Sequence, residues 1–164
     1  METELAWSGQ VLDQQEAVAW AARLRAAGQT VVFTNGCFDL LHLGHVDYLQ
    51  RARSQGDALI VGLNSDAMVR QLKGPGRPIL PEADRAKVLA ALRAVDAVVV
   101  FQQPTAEALV AAVRPAIYVK GGDWGTVQRI PPEAAVVLAY GGRVEYVPFL
   151  AGRSTREIVA QIRS

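Results

Sequence analysis

The sequence predicts an α/β fold, a single doubly wound, Rossmann-like domain built on a five-stranded parallel sheet. Three observations carry that prediction. Segments rich in β-branched residues alternate with alanine-rich segments along the whole chain, the pattern of βα units. The strand segments, such as Val31-Val32-Phe33 and Leu59-Ile60-Val61, are apolar without polar alternation, so both sheet faces need cover, as in parallel sheets. The 164 residues contain no repeat, low-complexity tract or linker, a length that suits one domain with a substantial core.

Taken in order, residues 11–27 read as an amphipathic helix with Val11, Val18, Ala21 and Leu24 near one face and Gly28 as its stop. Residues 1–28 are thus expected as a helical extension packed on the domain. Residues 30–34 form the first buried strand, 44–54 a helix and 57–63 the second strand. A short helix over 65–72 leads into the glycine- and proline-rich loop of residues 73–78. Residues 81–93 form a helix with Pro81 well placed in its first turn. Then follow strand 97–101, helix 105–113, strand 116–119, helix 132–140, strand 143–147 and a closing helix from Ser154.

The hydrophobic fraction of 51% and charged fraction of 20% are those of an ordinary globular protein. A net charge of +1 gives no electrostatic basis for a nucleic-acid or membrane partner. The single cysteine, Cys37, has no intramolecular partner, which fits a reducing cytoplasm. No apolar run has the length to cross a bilayer, and Met1-Glu2-Thr3-Glu4 lacks the basic region of a secretion signal.

The most informative stretch is Phe33-Thr34-Asn35-Gly36-Cys37-Phe38-Asp39-Leu40-Leu41-His42-Leu43-Gly44-His45. It reads as strand, turn and helix start, and holds both histidines of the chain. That junction lies beyond the carboxyl end of a strand, where open α/β sheets bind ligands. Three readings compete for His42 and His45: a helix cap with one hydrogen-bonded histidine, a metal site, and a phosphate site. No further cluster of ligands accompanies them, so no metal site is assigned. The turn Asn35-Gly36-Cys37-Phe38 suits an anion nest, and Gly44 lets a ligand approach the backbone. Asp39 reads either as a turn cap or as a group that meets Mg²⁺ or substrate.

Lys73 and Arg77 share a loop suited to closing over phosphates. Arg85 and Arg93 lie eight residues apart in the next helical segment, on a similar face. Lys120-Gly121-Gly122-Asp123-Trp124 follows a strand end, where Asp123 can accept hydrogen bonds from sugar hydroxyls and Trp124 can pack on a ligand. Ser154 and Thr155 begin a helix, where hydroxyls and N–H groups hold phosphates or simply cap. Cys37 reads as a small buried residue without a nucleophilic role.

Residues 35–45 resemble the HxGH signature of the nucleotidyltransferase superfamily, in its cytidylyltransferase-like branch. With Asn64-Ser65-Asp66, Lys73-Gly74, Arg77-Pro78, Lys120-Gly121-Gly122-Asp123 and Ser154-Thr155 in the same order, the chain is similar over almost its whole length to bacterial D-glycero-β-D-manno-heptose 1-phosphate adenylyltransferases. The resemblance implies transfer of AMP from ATP, brought with Mg²⁺, to a sugar 1-phosphate, giving ADP-heptose for lipopolysaccharide. It implies a homodimer, and a separate kinase to supply the sugar phosphate. It assigns catalysis to His42, His45 and Lys73. Nucleotide binding falls to Asn35, Gly36, Cys37, Phe38, Gly44, Lys120, Gly121, Gly122, Ser154 and Thr155. Substrate binding falls to Asp39, Arg85, Arg93, Asp123 and Trp124. The sister activity, a cytidylyltransferase acting on glycerol 3-phosphate, and a non-catalytic nucleotide-binding module are the alternatives. The chain departs from the family pattern in residues 125–132 and in Arg153 and Arg156, which flank the usual Ser-Thr pair.

Overall fold

In the computed structural model, which describes residues 9–122 and 130–164, strands and helices alternate as β1 (Gln10–Leu12), α1 (Gln14–Ala26), β2 (Val31–Gly36), α2 (Leu43–Arg53), β3 (Ala58–Asn64), α3 (Asp66–Lys73), α4 (Glu82–Ala90), β4 (Ala97–Phe101), α5 (Glu107–Val113), β5 (Ile117–Gly121), α6 (Pro132–Ala139), β6 (Arg143–Val147) and α7 (Thr155–Arg163). All strand pairs are parallel, in the order β1-β4-β3-β2-β5-β6.

The sheet has six strands where the sequence predicts five. The extra one, β1, lies inside the segment expected to be helical and pairs along the edge of β4, with Val11 opposite Val98. Asp13 draws the boundary: its carboxylate accepts from the Glu16 N–H at 2.8 Å, and Glu16 accepts from the Asp13 N–H at 2.8 Å. This reciprocal capping box starts α1 after Asp13 and leaves Val11 and Leu12 outside it.

Both sheet faces are covered, which is why the strands are apolar throughout. Val32, Leu59, Val61, Val98 and Val119 meet α2 and α4 through Leu49, Ala52, Ala86 and Leu89. The alternate residues Val31, Phe33, Ile60, Val99 and Tyr118 meet α1, α5 and α6 through Ala17, Ala21, Leu109, Val113 and Val137.

The chain reverses its winding direction between β2 and β5, the switch point of such sheets. Here the ladder is short: Val32 pairs with Ile117 and Phe33 with Tyr118, and no further pair follows. Beyond it, side chains hold the two strands. The Tyr48 hydroxyl meets Thr34 Oγ1 at 2.6 Å and donates to the Val119 carbonyl at 3.1 Å, while the Tyr118 hydroxyl donates to Asn35 Oδ1 at 2.6 Å. The strands therefore part at their carboxyl ends, and a crevice opens there. Among the described residues, no helix is long and apolar enough to cross a membrane.

Candidate active site

The crevice continues into a cavity of about 750 Å³ lined by His42, Gly44, His45, Tyr48, Leu72, Lys73 and Arg77 on one side and by Phe149, Leu150, Arg153, Ser154, Thr155 and Arg156 on the other. Its histidine floor follows from the turn after β2. Phe38 takes a left-handed backbone (φ 45°), which costs a non-glycine residue about 1–2 kcal/mol. That conformation folds the Phe38 ring over Gly36, where a Cβ would lie 3.0 Å from the ring, and against His45 at 5.2 Å. His42 then caps α2, its Nδ1 accepting from the Gly44 N–H at 3.1 Å. With Nδ1 so used, neutral His42 carries its proton on Nε2, free to donate.

The two imidazoles stack at 3.8 Å. Burial pushes the His45 pKa down to about 4, with His42 and Lys73 pushing the same way and only the Leu40 backbone opposing. Burial also lowers the His42 pKa, against the pull of Glu157. Both rings are thus neutral at pH 7 and act as hydrogen-bond donors or acceptors. Among the described residues, the buried His45 Nδ1 has no partner in hydrogen-bonding geometry. Gly44 makes room for the pair, since a Cβ there would lie 3.0 Å from the His42 ring and 3.3 Å from Arg153 Cβ.

Four cations line the cavity, Lys73, Arg77, Arg153 and Arg156, and no described lining residue is a carboxylate. In a chain of net charge +1, and with Arg77 offset by its ion pair to Asp39, the cavity keeps a positive field from Lys73, Arg153 and Arg156. Lys73 ends α3, and Arg77 is held by Asp39, its Nε donating to the carboxylate at 2.8 Å. On the opposite wall, Ser154 caps α7 by accepting from the Glu157 N–H at 3.2 Å. The buried Thr155 hydroxyl donates to the Leu40 carbonyl at 3.2 Å, tying α7 to the histidine turn.

Of the expected site residues, the structure brings His42, Gly44, His45, Lys73, Ser154 and Thr155 into this cavity. Asn35, Gly36, Cys37 and Phe38 stand behind it as the supporting turn. Burial raises the Cys37 pKa, keeping the thiol protonated. Lys120 and Gly121 end β5 and Gly122 opens the turn after it, behind Phe149, whose ring lies 2.7 Å from where a Gly121 Cβ would be. Asp123 and Trp124, with residues 125–129, lie outside the described residues.

Three expected substrate contacts are placed elsewhere. Asp39 is buried, and its carboxylate is spent on Arg77 and on the Ile79 and Leu80 N–H groups at 2.8–3.1 Å; it fastens the loop after Lys73. Arg85 is also buried, donating to the carbonyls of Leu80, Cys37 and Asn64 and to Asp66 Oδ1 at 2.7–3.0 Å. It braces the loops with four of its five N–H groups. Arg93 follows the end of α4 and sits with Arg53 and Gly56 in a separate surface groove, near the amino ends of β3 and β4. Sequence reading missed Tyr48, Leu72, Phe149 and Leu150. Tyr48 was findable as the residue one turn after His45, and Phe149, 66% exposed, as an unexplained aromatic just before the Ser-Thr pair.

Comparisons with known proteins agree with this architecture. The chain is 53% identical over 153 residues to the bifunctional protein HldE of Geotalea uraniireducens, covering 93% of this chain and 30% of that protein. It is 52% identical over 154 residues to the same-named protein of Halorhodospira halophila, covering 94% of this chain and 32% of the relative. The chain therefore spans about a third of the length of these relatives. The crystal structure of a lipopolysaccharide core biosynthesis protein from Thermoplasma volcanium superposes with a TM-score of 0.61 at 28% identity, covering 75% of this chain and 98% of that one. The cytidylyltransferase-like family model matches residues 33–141, from the strand before the histidine turn to the end of α6, and the chain belongs to that family.

Proposed function

We propose that this chain transfers AMP from ATP to D-glycero-β-D-manno-heptose 1-phosphate, releasing pyrophosphate. The observation that carries the reading is the cavity itself: four cations, no carboxylate among the described lining residues, and two stacked neutral imidazoles at the switch point of the sheet. The high identity to the HldE proteins over nearly all of this chain supports the choice of nucleotide and acceptor.

The chemistry asks little of a base. The attacking oxygen belongs to a phosphate monoester already ionised at pH 7, so it forms its bond to the α-phosphorus as the bond to the β-phosphate oxygen breaks and pyrophosphate leaves with the electron pair. Catalysis then rests on in-line positioning and on donors aimed at the charge that builds on phosphoryl oxygens. His42 Nε2–H is such a donor, and His45 lies against it. Lys73 and Arg77 face them from the α3 loop. Mg²⁺ enters as part of the nucleotide substrate, neutralising phosphate charge. A sugar phosphate made by a kinase fits relatives that are named bifunctional, and a reaction that consumes ATP suits the cytoplasm.

A matrix of nucleoside triphosphates against sugar 1-phosphates and polyol phosphates, read by pyrophosphate release, tests this. ATP with the heptose 1-phosphate is expected to be the fastest pair, and His45→Ala to lower its kcat by roughly 10²-fold to 10³-fold, the loss of one donor to the transition state. Preference for CTP and glycerol 3-phosphate, or undiminished turnover in His45→Ala, overturns it.

A further inference from the structure

The sheet parts into two halves at the switch point. β2 keeps its ladder with β3 as far as Gly36 and Leu63, and β5 keeps its ladder with β6 as far as Gly121 and Val147. Between β2 and β5 the ladder ends with Phe33 and Tyr118. The two walls of the cavity follow different halves. The histidine turn comes after β2 and Lys73 after β3, whereas Phe149, Arg153 and Arg156 come after β6. The spacing of the walls is therefore set by the spacing of the halves. We propose that the Tyr48 hydroxyl is a positioning group for the transfer reaction, clasping the two halves so that the histidines of α2 stand at working distance from the opposite wall. The proposal rests on the adenylyl transfer argued above and adds a residue to it.

Tyr48 is buried, lies one turn after His45 on α2, and lines the cavity with its ring. Its hydroxyl has a single proton. That proton goes to the Val119 carbonyl of β5 at 3.1 Å, so the oxygen accepts from Thr34 Oγ1 of β2 at 2.6 Å. Burial pushes the Tyr48 pKa up, which keeps the proton in place. Thr34 and Val119 are the first residues of their strands beyond the last β2–β5 pair. A third element thus supplies the tie that the ladder drops, and that element is the helix carrying His42 and His45. The bonds run in one direction, from Thr34 through Tyr48 to Val119, and each strengthens the next. The same ring meets Phe149 of the opposite wall edge-on, with centroids 6.5 Å apart. Tyr118 ties β5 to Asn35 as well, but without engaging α2.

In-line transfer tolerates little displacement, and a shift of about 1 Å costs on the order of 10²-fold. Lys73, Arg153 and Arg156 reach a phosphate on long, flexible stems that follow a small shift. The imidazoles are short and stacked at 3.8 Å, and do not follow. Loss of the clasp therefore reads in kcat before it reads in nucleotide affinity.

Tyr48→Phe and Thr34→Val each break the clasp and keep the shape of the buried side chain, and where one of them fails to fold the other decides. Pyrophosphate release from ATP and D-glycero-β-D-manno-heptose 1-phosphate is measured below the melting temperature of each variant, with circular dichroism as the fold control. Titration calorimetry of a non-hydrolysable ATP analogue runs alongside. Each variant is expected to lower kcat about tenfold and to change affinity for the analogue by less than about twofold. In a His45→Ala background, Tyr48→Phe is expected to cost less than about threefold more, because both changes act through one group. A kcat within about twofold of wild type, an equal loss of affinity for the analogue, or full additivity with His45→Ala overturns the proposal and leaves the hydroxyl a stabilising bond alone. If the wild-type chain instead turns over glycerol 3-phosphate with CTP, the adenylyl-transfer reading falls, and the same variants assayed with that pair decide the clasp. If no pair turns over, both fall.

Discussion

His45 carries a cost in the free enzyme that is readable as pH dependence. Its folded pKa of about 4 lies below its ordinary value of 6.5, chiefly through burial, so folding disfavours the protonated form. At pH 7 the ring is neutral in both folded and unfolded chains and no penalty arises. As pH falls through 6.5, the unfolded chain binds a proton that the folded chain refuses, and stability declines by about 1.4 kcal/mol per pH unit until about pH 4, roughly 3 kcal/mol in all. Denaturant unfolding of the wild-type chain and His45→Gln is expected to show that extra loss only in the wild type; parallel losses would show that His45 is not held neutral. Beside it, Gly44→Ala is expected to lower kcat by about tenfold or more with little change in melting temperature, because the new methyl displaces the His42 ring (3.0 Å away) from its productive geometry. Equal activity in a kinetic assay would show that the ring can yield. At this scale the sequence was legible where chemistry is carried by residue type and spacing: His42, His45, Lys73 and Ser154 all reach the cavity. Asp39 and Arg85 were not, because a charged residue looks the same in sequence whether its partner is a substrate or a distant backbone group.

Arg85 shows how elements that meet only at their ends are kept in register. Its guanidinium ties the turn after β2, the end of β3, the start of α3 and the loop before α4 through four acceptors. Asp39 adds a second tie from the same turn to the loop after Lys73. Together they set the distance between the histidines and Lys73 without touching the cavity. Arg85→Met leaves a carboxylate and three carbonyls without their donor, and is expected to cost about 3–5 kcal/mol, measured by denaturant unfolding. A loss below 1 kcal/mol would mean that the loops hold themselves. The elements themselves were legible wherever burial on both faces leaves an apolar run, as in β2, β3 and β4. The edge strand β1 was not: three residues at a sheet edge carry too little periodicity to be told from a helix, and only the Asp13–Glu16 pair marked where the helix begins.

At the scale of the whole molecule, the order of strands decides where charge can be used. The parting of β2 and β5 opens a crevice at the carboxyl edge of the sheet, and α7 packs along one side of it. Thr155 is the one buried residue of α7, so that helix is held chiefly at its first turn, by the bond to Leu40 and the packing of Arg153 on Gly44. The sequence showed Arg153 and Arg156 as departures from a family pattern, but their purpose depends on a neighbour more than a hundred residues away and emerges only when α7 is seated opposite Lys73. A cavity with four cations in a nearly neutral protein attracts polyanions by its field, and that field is screened by salt, with a Debye length of about 10 Å at 0.1 M and about 3 Å at 1 M. The dissociation constant of a non-hydrolysable ATP analogue, measured by calorimetry, is therefore expected to rise by about tenfold between 0.05 M and 0.5 M salt, the order of one or two screened cation–phosphate contacts. Arg156→Ala is expected to weaken binding several-fold at low salt and to flatten the salt dependence, because it removes a charge that lines the cavity. A dissociation constant indifferent to salt, or a slope unchanged by Arg156→Ala, would show that binding relies on the donors of the floor and that Arg156 plays no part in holding the triphosphate.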